Sequence, residues 1–195
     1  MAGLLIVEHR AAWAGEFEAL CQRLQAALGP LALRVDPIGS TAVPGLCAKD
    51  VLDVQVAVAT LDGEAGALLS RRLQTAGFVH HTTATADHVP PGAKADPAAW
   101  RKLLFKNPPG QRRAHIHVRV LGAPNQRYAL LCRDFLRAHP ATAQAYGELK
   151  RRLAAALANV DDYPEVKDPA VDLVYLAAEA WATRSGWAGA DGQAL

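Results

Sequence analysis

Apolar and polar residues alternate over residues 50–59, and this alternation predicts a β-strand with two different faces. Aliphatic residues occupy positions 52, 54, 56 and 58 on one face, whereas Asp53 and Gln55 lie on the other. A loop of small residues, Gly39 to Gly45, comes shortly before this strand. An acidic residue in mid-strand is a poor choice for a core, so we expect the polar face to hold a carboxylate beside bound phosphate.

A second alternating segment, residues 113–121, carries His115, His117 and Arg119 on one face and aliphatic residues on the other. It follows a predicted strand over residues 100–106 and a Pro-Pro-Gly turn. The two strands are therefore expected to form an antiparallel hairpin.

The rest of the first two thirds of the chain mixes predicted helices and strands. Apolar residues at helical spacing predict helices over residues 11–28 and 62–76. Shorter alternating segments predict strands over residues 31–35 and 78–85. A stretch rich in proline predicts a loop over residues 86–98.

From residue 125 onward the pattern is helical. One predicted helix ends at His139-Pro140, and a second, over residues 141–157, has a basic exposed face of Lys150, Arg151 and Arg152. Asp168-Pro169 fits the start of a last helix that runs to about residue 184.

This order of elements predicts an α+β protein. Its parts would be an α+β core of residues 1–122, a helical C-terminal subdomain of residues 123–185 packed on that core, and a flexible tail of residues 186–195.

Composition and charge narrow the functional classes. The chain is 51% apolar and 21% charged, and its net charge of +2 argues against nucleic acid as a partner. The three cysteines form no CxxC pair, which favours reduced thiols. The apolar run at residues 4–7 is too short for a signal peptide or a membrane span. We expect a cytoplasmic protein without a membrane partner, and the sequence leaves its oligomeric state open.

The loop and the polar strand face carry the first candidate chemistry. Glycine lets the backbone of the loop approach a ligand, and Ser40 and Thr41 offer hydroxyl donors. The loop is neither a Walker A motif nor a dinucleotide fingerprint. Asp53 has Val51 and Ala57 on its face, so it is expected to be partly buried and to need a cation, a metal or several donors. A solvated edge strand is the alternative.

The paired imidazoles and the basic residues are the second candidates. His115 and His117 could bind a metal, bind phosphate or line a polar cleft, and a solvated strand face is an equally good interpretation. Basic residues cluster on the hairpin, and with Lys49 and Arg133 they favour an anionic ligand nearby. For most of them taken singly, a solvated charge is the simpler interpretation.

Three motifs resemble the GrpB family. They are residues 38–49 (IGSTAVPGLCAK) followed by VLDV, residues 115–118 (HIHV) and residues 132–140 (CRDFLRAHP). The resemblance covers about residues 5–180. The family belongs to the nucleotidyltransferase superfamily and is similar to a domain fused to dephospho-CoA kinase in some bacteria.

The resemblance implies a nucleotidyltransferase-like mixed β-sheet core with flanking helices. In that superfamily a Gly-Ser pair contacts nucleotide phosphates, and carboxylates from two strands hold Mg²⁺. Gly39-Ser40 matches the pair, and Asp53 matches the first carboxylate. Gln55 stands at the second carboxylate position, and the third falls at His115 or His117. Two imidazoles favour Zn²⁺ or Mn²⁺ over Mg²⁺.

The leading hypothesis is an enzyme that transfers a nucleotidyl group from a nucleoside triphosphate to a small-molecule acceptor, with a divalent cation (Mg²⁺, Mn²⁺ or Zn²⁺) as cofactor. The alternative is a catalytically degenerate module of the same fold that binds a nucleotide or a CoA-type ligand. The assigned residues are Asp53, His115 and His117 for catalysis and metal binding, and Gly39, Ser40, Thr41, Lys49, Arg119 and Arg133 for nucleotide and phosphate binding.

Overall fold

A computed structural model describes residues 4–93 and 96–189 of the chain. The strands are β1 (Arg34–Ile38), β2 (Leu52–Val58), β3 (Val79–His80), β4 (Leu103–Lys106) and β5 (Ala114–Val120). The α-helices are α1 (Ala12–Leu28), α2 (Gly63–Thr75), α3 (Pro124–Ala138), α4 (Pro140–Ala156) and α5 (Tyr163–Ser185). The predicted α+β class, a mixed sheet with flanking helices, is confirmed.

The sheet has five strands in the order β1-β2-β5-β4-β3. Among the strands of the described residues, β2 and β5 pair in parallel and the other neighbours pair antiparallel, so the predicted antiparallel hairpin of β4 and β5 is confirmed. The parallel register sets Asp53 opposite His115 and Gln55 opposite His117. Because side chains alternate between the two faces of a strand, these four residues lie on the same face of the sheet.

The opposite face of the same two strands builds the main core. Val54 and Val56 of β2 and Ile116 and Val118 of β5 are all fully buried. They pack with the apolar face of α1, which includes Trp13, and with residues of α2. The helix α1 ends at a glycine with a positive φ of 55°, which residues with a side chain rarely adopt.

A second apolar cluster joins the last three helices to the loop that precedes β2. Val43 and Leu46 of the loop pack with residues of α3, α4 and α5, including Phe135 and Ala178. The loop is therefore held between the sheet and the helices. Trp187, just beyond α5, packs on this cluster and donates a hydrogen bond to Asp134, so the described start of the tail is anchored. The rest of the predicted tail, residues 190–195, lies outside the described residues.

Four predicted element boundaries were wrong. The strand predicted over residues 100–106 begins only at Leu103, because Pro97–Trp100 forms a 3₁₀ turn. The strand predicted over residues 31–35 begins only at Arg34, because a 3₁₀ turn at Gly29–Leu31 takes up the preceding residues. The strand predicted over residues 78–85 keeps just two residues paired with β4, at the edge of the sheet. The last helix begins at Tyr163 rather than at Asp168, with a proline in its interior.

That proline, Pro169, lies in the second turn of α5 and has no N–H to donate to the carbonyl of residue 165. The buried side chain of Tyr163 fixes the start of the helix. None of the helices in the described parts of the chain combines the length and apolar character needed to cross a membrane.

Candidate functional site

The site begins where the loop passes over the side chain of Asp53. Gly39 has a φ of 67°, and a Cβ added there would lie 2.7 Å from Oδ2 of Asp53. Glycine is therefore required twice, for the backbone conformation and for the close approach. Ser40 and Thr41 follow in a short 3₁₀ turn, directly after the glycine that touches the carboxylate.

Asp53, His115 and His117 meet on the polar face of the parallel pair. Nδ1 of His115 lies 3.3 Å from Oδ1 of Asp53, and Nε2 of His117 lies 3.7 Å from the same oxygen. One ligand atom from each residue falls within 4.8 Å of the others, which is close enough for a shared cation. The structure thus brings together the three residues predicted as a metal set.

The protonation of this cluster follows from its surroundings. Burial would raise the pKa of Asp53, but hydrogen bonds from His115 and His117 outweigh it and hold the pKa well below the usual range. Burial and the nearby charge of Arg119 lower the pKa of His117 to about 4, against the opposing effect of Asp53. At neutral pH the cluster therefore contains an ionised carboxylate and a neutral His117.

The second ring nitrogen of His117 faces a cation. Nη2 of Arg119 lies 3.4 Å from Nδ1 of His117, and a guanidinium can only donate. This contact favours a proton on Nε2 of His117, which then points at Asp53. A histidine that ligates a metal usually donates its other N–H to an acceptor. His117 therefore suits hydrogen-bond donation better than ligation, and Asp53 with His115 is the pair better suited to an ion.

Gln55, one rung further along β2, is committed to the protein interior. Its amide donates to the backbone oxygen of Gln126 at 3.2 Å and accepts from Nη1 of Arg119 at 2.6 Å. The side chain is fully buried. The position that would hold a second carboxylate is thus occupied by a structural amide.

Asp87 is a site residue that the sequence did not reveal. Its carboxylate accepts hydrogen bonds from Arg119, Lys102 and Asn125 at 2.6–3.0 Å. Burial raises the pKa of Asp87, but the nearby charges of Arg119 and Lys102 lower it by more. The pKa therefore lies well below the usual range. The segment was predicted as a loop, and no local pattern marks one of its acidic residues as buried.

Lys150 was predicted on an exposed face of its helix, and this was wrong. Its side chain is buried, and Nζ donates to Oγ of Ser40 at 2.8 Å and to the backbone oxygen of Cys47. Gly147, one turn earlier, lets α4 approach the loop, because a Cβ there would lie 3.1 Å from Sγ of Cys47. Burial lowers the pKa of Lys150 to about 8, and the charge of Lys167 acts in the same direction.

Two more of the predicted residues, Lys49 and Arg133, contact different kinds of partner. Nζ of Lys49 lies 4.0 Å from the ring centroid of Tyr163, a cation–π contact. Arg133 is buried and donates to Asp134 and to the backbone oxygen of Pro37.

All nine predicted site residues line one cavity of about 550 Å³, a size typical of small-molecule sites. Residues of α3, α4 and α5 close its other side, among them Tyr128, Cys132, Tyr146 and Tyr163. The site therefore lies between the polar sheet face and the C-terminal helices. Lys102, Asp87, Lys150 and Lys167 also line it.

The fold and the site define a mixed α+β protein with a ligand cavity, a glycine-serine loop and a carboxylate–imidazole cluster. The sequence profile described as "GrpB protein" matches residues 4–176, and the chain belongs to the GrpB family. The resemblance drawn from the motifs is thus confirmed.

Proteins similar to this chain differ in how much of their own length the similarity covers. A dephospho-CoA kinase of Mycolicibacterium paratuberculosis is 36% identical over 188 residues, which cover 90% of this chain and 46% of that longer protein. A UPF0157 protein of Deinococcus radiodurans is 38% identical over 153 residues, or 78% of this chain and 69% of that protein. The crystal structure of the conserved protein GrpB from Enterococcus faecalis matches with a TM-score of 0.73 at 28% identity, covering 91% of this chain and 99% of the other.

Proposed function

We propose that the cavity binds a nucleoside triphosphate and a divalent cation and transfers the nucleotidyl group to a small-molecule acceptor. An acceptor oxygen would bond to the α-phosphorus, the bond to the bridging oxygen would break, and pyrophosphate would leave with the electron pair. The acceptor proton would pass to solvent in the cavity, because Asp53 and His115 would hold the cation and His117 already carries a proton on Nε2. The observation that carries this proposal is the contact between the Gly39-Ser40 loop and Asp53, with His115 beside the carboxylate.

The donor set fits a divalent cation. Asp53 offers an ionised carboxylate and His115 an imidazole, a mixture that suits Mn²⁺ or Zn²⁺ better than Mg²⁺, which prefers oxygen alone. A bound cation would supply Lewis-acid stabilisation of phosphate charge. In this proposal His117 donates its Nε2 proton within the cluster and keeps the carboxylate oriented.

The chain's own residues would orient the phosphates. Ser40 presents a hydroxyl at the start of its turn, and Lys49 provides a cation at the cavity wall. Arg119 and Arg133 also line the cavity, but they donate hydrogen bonds to protein acceptors. Their proposed part in phosphate binding is therefore a contribution of positive charge from behind the site.

A second candidate, a binding module without transferase activity, is favoured by Gln55. The amide of Gln55 is bonded to Arg119 and to the backbone of Gln126. The site therefore offers a cation only one carboxylate on β2, that of Asp53. Such a module would bind a nucleotide or a CoA-type ligand. The relatives named dephospho-CoA kinase, which contain a similar segment, give the CoA-type ligand its support.

Isothermal titration with a non-hydrolysable nucleoside triphosphate, with and without Mn²⁺, tests the shared part of both candidates. Nucleotide binding should strengthen with Mn²⁺, and Asp53→Asn should weaken the Mn²⁺-dependent binding by about 10- to 100-fold. Asp62→Asn is a matched control, because Asp62 is an exposed carboxylate at the start of α2. Absence of binding, or equal affinities in both variants, would overturn the site.

Pyrophosphate release then separates the two candidates. The transferase should release pyrophosphate from a hydrolysable triphosphate in the presence of a pool of hydroxyl acceptors, and Asp53→Asn should abolish the release. Binding without any release across the pool would favour the module.

A further inference from the structure

We propose that four cations on the cavity wall form a polyphosphate subsite, so that the ligand carries a chain of phosphates rather than a single one. The four are Lys49, Arg113, Lys150 and Lys167. The inference rests on the proposed function for the identity of the nucleotide, but the subsite itself can be tested with inorganic polyphosphates alone.

The four residues come from four separate parts of the chain and converge on one cavity. Lys49 precedes β2, Arg113 precedes β5, Lys150 lies on α4 and Lys167 lies near the start of α5. Chain segments that far apart bring like charges together only through tertiary packing. Lys150 donates to Ser40, and the preceding residue, Gly39, lies against Asp53, so the group reaches the candidate cation site.

Among the described residues, none of the four cations forms an ion pair with a carboxylate, and Lys49 and Lys150 contact neutral groups. Lys49 lies over an aromatic ring, and Lys150 donates to a hydroxyl and a backbone oxygen. The other basic residues of the cavity differ, because Lys102 and Arg119 share Asp87 and Arg133 has Asp134.

The cavity has more positive than negative charge. Seven lysine and arginine residues line it, against three aspartates. Asp87 accepts from Arg119, Lys102 and Asn125, which leaves Asp53 and Asp168 as the lining carboxylates that can balance the four cations. Unpaired cations in a partly buried cavity repel one another, and an anion of several charges removes that repulsion.

The acid–base properties agree with this picture. Burial lowers the pKa of Lys49, and the charges of Lys167 and Arg113 lower it further. Lys167 has the same effect on Lys150. These directions agree with the shared position of the four side chains on the cavity wall. A polyphosphate fits such an array better than a monophosphate, because it offers charged oxygens at several successive points.

The direct test is calorimetric titration of the whole protein with inorganic phosphate, pyrophosphate and triphosphate, without divalent cations. Affinity should rise in that order. Lys49→Gln and Lys167→Gln should each weaken triphosphate binding by about tenfold, the loss of one charge-assisted hydrogen bond. Both side chains are only half-buried, so the variants should fold. Arg152→Gln, which removes an equal charge from the exposed face of α4, should leave the affinity unchanged.

Several results would overturn the subsite. They are no triphosphate binding, equal affinity for phosphate and triphosphate, or an equal loss in Arg152→Gln. The outcomes also separate this inference from the proposed function. If nucleotide binding requires Mn²⁺ and Asp53 but is unchanged in the lysine variants, the subsite alone is contradicted. If triphosphate binding depends on the lysines but nucleotide binding is unchanged by Asp53→Asn, the proposed cation site alone is contradicted.

Discussion

The polar face shared by β2 and β5 has an open end and a closed end. At the open end the side chains of Asp53 and His115 are 33% and 39% exposed and face the cavity. At the closed end Gln55 and Arg119 are buried beneath Asp87 and the start of α3. The same two strands in the same register produce both ends, so their covering, rather than the strands, decides which polar residues can meet a ligand.

The comparison also explains the amide at position 55. A buried side chain between a guanidinium and a carbonyl must accept from one and donate to the other, and glutamine does both. The closed end thus acts as the support of the open end. Arg119 connects them, because it contacts both Asp87 and the ring of His117.

The largest expected effect comes from breaking the closed end. Asp87→Ala leaves Arg119 and Lys102 buried without their shared partner, and it should lower the free energy of unfolding by about 3–5 kcal/mol. Asp53→Ala at the open end should cost less than about 1 kcal/mol, since this side chain is partly exposed and its partners among the described residues are two histidines. Urea unfolding of both variants measures the contrast. Similar losses would mean that the two ends do not differ as described.

The next effect is a pH dependence that belongs to His117. Its pKa in the folded protein is about 4, below the ordinary value, so the unfolded chain binds more protons between about pH 4 and 6.5. The stabilisation is complete above pH 6.5 and is lost as the pH falls towards 4, by about 2–3 kcal/mol. His117→Gln should flatten this part of the stability curve, as followed by urea unfolding across the range. Parallel curves for the two proteins would contradict the assignment.

A smaller effect tests whether position 55 can serve the cation. Gln55→Glu loses the donor to the carbonyl of Gln126, which should cost about 1–2 kcal/mol. The new carboxylate should pair with Arg119 rather than face the cavity, so the affinity for Mn²⁺ should not change. Urea unfolding and calorimetry measure the two quantities. A tenfold gain in Mn²⁺ affinity would show that the closed end is open to ions.

Local patterns predicted the strands and their faces but not what covers them. Alternation was enough to assign Asp53 and His115 to polar faces, because the period of a strand is a local property. The parallel pairing that sets these two residues opposite each other joins positions 62 residues apart. Only the family resemblance brought them into one site in advance.

Local sequence patterns could not predict the burial of residues whose environment depends on distant parts of the chain. Lys150 stands beside Arg151 and Arg152, so its neighbours indicated an exposed basic face. Its burial follows from the close approach of α4 to a loop about a hundred residues away in sequence. Asp87 and Pro169 are similar cases. Asp87 is the shared partner of Arg119 and Lys102, and Pro169 lies inside a helix that it was expected to begin.

The central claim is that the open end holds a divalent cation and a nucleotide. Anomalous diffraction at the zinc edge, from a crystal grown with Zn²⁺ and a non-hydrolysable nucleoside triphosphate, tests it most directly. The account predicts a peak about 2.0–2.2 Å from a carboxylate oxygen of Asp53 and a ring nitrogen of His115, with phosphates beside Ser40. A nucleotide bound elsewhere, or a zinc peak away from Asp53, would contradict it.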